Sequence, residues 1–176
     1  TELAARTITP IVFVILARLL TPEDFGVATA AVMVISFSQL IWDAGLNKAV
    51  IQRETDTLEA ANVVFWTNAV LGLGVYGLAF MLSPWIAGWF QDARVELVIK
   101  VQGLQMILAS LGAVQKALLQ RDFNFRTLFF VRFLTTVAPG AASLPLAWHG
   151  WGYWALVAGA LAGALAELTV LWLICP

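Results

Sequence analysis

The chain has 176 residues, of which 61% are hydrophobic, with ten Lys and Arg against eleven Asp and Glu, and its mean hydropathy is +0.85. Such a composition excludes an ordinary water-soluble domain of this length, because no polar outer helices are present to cover a buried apolar core. The single Cys175 excludes an intrachain disulfide and a cysteine-based metal cluster.

A helix rises about 1.5 Å per residue, so a hydrocarbon core of about 30 Å asks for roughly 20 apolar residues. Six stretches meet or approach that length, at 4–20, 27–46, 63–90, 97–119, 128–148 and 151–174. They predict an all-α, polytopic transmembrane bundle of about six spans. The first two are short as strict apolar runs and are lengthened by Ala4 and Ala5 and by small residues as far as Leu46. Between them, Thr21, Pro22, Glu23, Asp24 and Gly26 form a compact turn in which proline ends the first helix or opens the second. Further aqueous links are expected at 48–59, with Asp56 or Thr57 as a helix cap, at 91–96 and at 120–126. His149, Gly150 and Gly152 mark the last reversal.

If the chain starts on the cytoplasmic side, Lys48, Arg53, Lys116, Arg121, Arg126 and Arg132 lie there with Arg6, and Arg18, Arg94 and Lys100 lie opposite. That asymmetry predicts both ends inside. Many of the eight Trp residues, Trp85, Trp89, Trp148, Trp151 and Trp154 among them, fall near span ends, where an indole sits well at headgroup level. No basic leader with a cleavage site opens the chain, which reads as a piece of a larger membrane protein.

Polar groups within hydrocarbon are costly and face protein or water. Ser36, Gln39, Asp43 and Asn47 follow three- and four-residue steps on the second helix and are candidates for lining a water-filled cavity, or for a packed polar network. In the last helix Ala155, Gly159, Gly163 and Glu167 repeat every fourth residue; the small ones permit close helix approach, and Glu167 must be protonated, paired or wet. Arg132 is a possible opposite charge for it. Gln105, Ala109, Gly112 and Lys116 share a face of the fourth span, from which Lys116 can snorkel to the inner surface. Pro139 predicts a kink or break in the fifth span. The basic and aromatic run 116–132 favours anionic lipid headgroups or a diphosphate-bearing lipid over nucleic acid. No phosphate loop, nucleophile elbow, zinc-spaced His/Cys set or catalytic triad is present, so no enzyme activity and no cofactor is expected.

The run ARLLTPEDFG at 17–26 and IWDAGLNKAVIQR at 41–53 resembles the polysaccharide biosynthesis and export family, within the superfamily of multidrug and lipid-linked oligosaccharide flippases. Phe65, Trp66 and Asn68, the stretch 84–92, ALLQRDFNF at 117–125 and the stretch 150–163 continue the likeness in order. The resemblance implies a prokaryotic inner-membrane flippase of roughly 12 to 14 helices in two lobes, with this chain as most of the first and the C-terminal lobe missing. Such a protein moves an undecaprenyl-diphosphate-linked saccharide to the outward leaflet by alternating access, with membrane lipids and the lipid-linked oligosaccharide as partners. It directs attention to Arg6, Arg18, Arg53, Arg121, Arg126 and Arg132 as contacts for the phosphates. The alternatives are a cation-coupled small-molecule exporter, with Asp43 or Glu167 as the ion site, and a noncatalytic membrane scaffold.

Overall fold

The computed structural model describes residues 2–43, 57–121 and 125–174. Among them are seven helices: α1 (Glu2–Leu19), α2 (Pro22–Asp43), α3 (Thr57–Phe90), α4 (Ala93–Gln102), α5 (Leu104–Arg121), α6 (Phe125–Trp148) and α7 (Tyr153–Ile174). No strand occurs among the described residues. Each predicted span contains described helix, with α4 and α5 sharing the fourth and residues 44–46 of the second outside the described residues. Three runs, Phe65–Phe90, Ala93–Lys116 and Tyr153–Ile174, are long and apolar enough to cross a bilayer on length and composition alone.

Local chemistry explains each turn. Pro22 opens α2 rather than closing α1, and Thr21 is its cap. The Thr21 N–H and hydroxyl donate to Asp24 Oδ2 at 3.2 and 2.8 Å, and the Asp24 N–H donates back to Thr21 Oγ1 at 3.3 Å. This reciprocal box satisfies helix-end donors that would otherwise be orphaned, a contribution of about 1 kcal/mol. Leu20 and Phe25, on either side of it, join one apolar cluster. At the end of α3, Gln91 takes a left-handed conformation (φ 54°). Its N–H donates to the Gly88 carbonyl and that of Asp92 to Ala87, both at 3.3 Å, which closes the helix before Asp92 caps α4. Gly150 (φ 78°) does the same for α6, with Gly150 and Trp151 N–H groups donating to the Ala147 and Leu146 carbonyls.

The three turns meet at one end of the bundle. Asp24 Oδ1 accepts from the Tyr153 N–H at 3.2 Å, so one carboxylate serves the N-termini of both α2 and α7, where the helix dipole favours negative charge. Gly152 makes room for it: a Cβ there would lie 3.1 Å from Asp24 Oδ1. Arg94 pairs with Asp92 at 2.9 Å, approaches Glu23 at 3.8 Å and lies over the Tyr153 ring.

The fourth span carries a one-residue interruption, at Gly103. Despite Pro139 and Pro145, α6 runs as one helix. Between α4 and α5, a Cβ on Gly103 would meet the Ile99 carbonyl at 2.7 Å and the Tyr76 ring at 3.0 Å, and the Tyr76 hydroxyl donates to the Lys100 carbonyl at 3.1 Å. The ring of α3 occupies the space where a side chain would stand, so only glycine fits the break.

Helix α7 is central. It contributes Val157 to a core with α2, α3 and α4, Ala155 to a second with α1 and α6, and Leu171 to a third with α5 and α6. Its closest approach is to α6: a Cβ on Gly159 would lie 2.8 Å from the Pro139 carbonyl oxygen, and one on Gly163 would lie 2.8 Å from Pro139 Cγ. The small-residue face therefore acts as expected, as a notch, and Pro139 is the ridge that fills it. The outside of the bundle is apolar, with Met81 80% exposed and Trp89 90% exposed on α3. Trp85, Trp89, Trp148 and Trp151 form an exposed ring at the end that carries the three turns, the arrangement of an interfacial aromatic belt.

Candidate functional site

One charged pair inside the spans joins two helices, Lys116 on α5 with Glu167 on α7, Nζ to Oε1 at 2.6 Å, with side chains 51% and 32% exposed. Lys116 thus meets the Glu167 carboxylate; the side chain of Arg132, the opposite charge considered from sequence, lies outside the described residues. Two contacts bring α5 to α7. Gly112 sits under Leu171, whose Cδ1 would be 3.2 Å from an added Cβ. The Trp172 indole N–H reaches the Leu111 carbonyl at 3.4 Å. The signal was present in the sequence: each helix carries a stripe of small residues ending, four positions beyond a glycine, in a charge, and the two charges are opposite.

On α2, Ser36 lies on an exposed face with Val32, Met33 and Phe37. Its hydroxyl donates to the Val32 carbonyl of its own helix at 2.8 Å. Gln39 and Asp43 continue along the same helix, their side chains outside the described residues, and Asn47 and Arg53 lie outside them altogether. Arg18 is exposed in the last turn of α1, where the helix dipole favours a cation. Arg6 is on α1, Arg121 ends α5, and Arg126 and Arg132 are on α6; the structure describes their backbone and not their side chains. Of the predicted site residues, only Glu167 is joined to another charged group by a described contact.

Sequence reasoning missed a groove of about 420 Å³ where α1 crosses α6 and α7. Val12, Phe13 and Leu16 form one wall, Thr135, Thr136, Pro139 and Ser143 another, and Leu156, Gly159 and Ala160 the floor. Helix α1 seats by the same device as α7: a Cβ on Gly140 of α6 would lie 3.0 Å from Val12 Cγ2. Only hydroxyls and backbone interrupt the apolar lining. No group of three or more potential metal ligands is found among the described residues.

An all-helical bundle with an exposed apolar belt, long apolar spans and an indole ring at one end is a multi-pass membrane protein. The family described as polysaccharide biosynthesis protein matches residues 15–176, and the chain belongs to that family. It is 29% identical over 158 residues to the succinoglycan biosynthesis transport protein ExoT of Rhizobium meliloti, covering 90% of this chain and 32% of that protein. It is 32% identical over 112 residues to an uncharacterized membrane protein in the cps region of Klebsiella pneumoniae, covering 64% and 23%. With the lipopolysaccharide biosynthesis protein WzxC of Escherichia coli the identity is 24% over 156 residues, covering 89% and 31%. The match therefore spans between 23% and 32% of the length of these relatives. No solved structure matches it.

Proposed function

We propose that this chain is the N-terminal lobe of a flippase that carries a lipid-linked saccharide, on an undecaprenyl-diphosphate carrier, from the inner to the outer leaflet of the bacterial cytoplasmic membrane by alternating access. The observation that carries the reading is the family match across 15–176, in which one relative is named a succinoglycan transport protein. The geometry agrees with it. From their shared turn α1 packs on α6 while α2 packs on α4 and α7, so the two leave exposed faces toward whatever the C-terminal lobe supplies. Both ends of the chain are assigned to the cytoplasmic side by the distribution of Lys and Arg. Arg6, Arg18, Arg53, Arg121, Arg126 and Arg132 are the proposed phosphate contacts, since guanidinium groups grip phosphate through paired hydrogen bonds.

A cation-coupled exporter of small molecules that used Glu167 as its ion site would need that carboxylate free, whereas Lys116 already holds it. The deciding experiment is reconstitution of the full-length protein with fluorescent lipid-linked saccharides, following transfer between leaflets with and without ion gradients. Transfer that depends on the diphosphate-linked lipid supports the flippase. Ion-gradient-driven transport of small soluble molecules with no lipid transfer would replace it with the exporter.

A further inference from the structure

We propose that the seam between α5 and the half of α3 remote from the Gln91 turn parts to admit water, and that the unpaired amide of Asn68 draws it in. Asn68 is fully buried while Trp66, Val70 and Leu71 beside it on α3 are exposed, so its side chain points into the bundle. Neither its Nδ2 nor its Oδ1 meets a protein partner, and a desolvated amide with no partner is costly enough to call for one. Register places Ser110 across from it. The Tyr76 ring of α3 lies against Gly103, which keeps helical dihedrals (φ −59°, ψ −24°). Ser110 stands two turns beyond Gly103 and so faces α3 as well. Asn68 is about 12 Å from Tyr76 along its helix and Ser110 about 10 Å from Gly103 along the returning one, so the two buried residues share nearly one level. The Ser110 hydroxyl donates to the Ile107 carbonyl of its own helix at 2.7 Å and not across the seam. Five residues further on, Gln115 leaves its Oε1 unpaired too.

The forces joining α3 to its neighbours are unevenly spread. Among the described residues, α3 enters the apolar cores only through Ala87, with Ile86 packed beside it, close to the Gln91 turn. The bond from the Tyr76 hydroxyl to the Lys100 carbonyl lies midway. Toward Thr57, the described aromatic contact is Phe65 edge-on to Trp172 of α7. The packing therefore has a fixed end at the turns and a seam that can open at the other, as a local event within a folded lobe. What enters is set by the amide. A cation would satisfy only Oδ1 and an anion only Nδ2, while water accepts from one and donates to the other; a lipid tail does neither.

The test uses full-length protein in phospholipid nanodiscs with its own cysteines replaced and one thiol introduced, by Ser110→Cys in the seam or by Ala155→Cys in the core that α7 shares with α1 and α6. Only the thiolate reacts readily with N-ethylmaleimide, and a thiol in dry apolar packing stays protonated, so alkylation reads the arrival of water and not of lipid. The thiol at 110 is expected to react faster than the one at 155 by about tenfold or more, and Asn68→Leu to slow it by about tenfold. Equal or slower reaction at 110 shows that the seam does not part on its own and overturns the inference. An unchanged rate at 110 in Asn68→Leu gives the amide no part in the opening and overturns it as well. Asn68→Gln and Asn68→Met lengthen the side chain alike and differ in the amide, so they carry the comparison if Asn68→Leu fails to fold. The glutamine variant is expected to keep the fast reaction at 110 and the methionine variant to lose it; equal rates in that pair count against the inference.

Discussion

Single residues carry several of the turns, and their energetics can be tested one at a time. Gln91 holds a left-handed conformation that costs a side chain about 1–2 kcal/mol and glycine almost nothing. Gln91→Gly is expected to raise stability in detergent by about 1 kcal/mol, read from thermal unfolding; no gain would mean that the side chain makes compensating contacts. Asn68 presents the opposite case, fully buried on α3 with both amide atoms unpaired. The near-isosteric Asn68→Leu removes two desolvated polar atoms and should stabilise by about 1–2 kcal/mol. In the α3–α4 turn, hydrogen bonds from Arg94 hold the Asp92 carboxyl below the usual carboxylate range. A depressed carboxyl contributes stability above its unfolded value, near pH 4, and loses it as pH falls through the folded value. Stability measured on acidification should therefore decline more shallowly in Arg94→Gln than in the parent; identical profiles would show that the pair contributes nothing. The capping role of the turn at Thr21 could be read from residue types alone, because Ser or Thr, then Pro, then an acid is a local signature. The bond from Asp24 to Tyr153, 129 positions away, could not, because nothing in either segment encodes its distant partner.

At the level of helices, the α6–α7 contact depends on glycine at two positions four residues apart. Gly159→Ala would drive a methyl into the Pro139 carbonyl, and overpacking of that kind costs about 1–3 kcal/mol. The expected result is a loss of thermal stability that Ala160→Gly on the adjacent position does not reproduce. The Lys116–Glu167 pair makes a prediction of another form. Removing one charge leaves the other in an apolar span, so Glu167→Gln should lower stability by about 1 kcal/mol, and the double variant with Lys116→Met should recover most of it. Additive losses would show that the two charges act separately. Helix existence was legible because long apolar runs permit little else in lipid. The location of the helix break was not: proline at 139 marked α6, which runs as one helix, while the interruption at Gly103 lies against the ring of Tyr76 from a neighbouring helix.

Across the whole molecule, the turns after α1, α3 and α6 lie together at one end, the end that the proposed topology turns outward on the distribution of Lys and Arg. Single cysteines at 23 and 149 should react with an impermeant reagent from outside the cell, and cysteines at 56 and 122 only from the cytoplasm. The reverse pattern would invert the topology, and uniform labelling would abolish the six-span arrangement. The class of the protein was readable from hydropathy and the family from short ordered segments. The groove was not, because it is assembled from helices whose lining residues look, in sequence, like any lipid-facing wall.

The place of α7 in all three apolar cores has a consequence for biogenesis. It is the last of these helices to leave the ribosome, so its predecessors must wait in the bilayer without the surface against which most of them settle. Insertion and assembly of this lobe are then separate events in time. Chains stalled before Tyr153 would expose the Pro139 ridge and leave Asp24 without the Tyr153 N–H, and membrane quality control would meet a population defined by the absence of one segment.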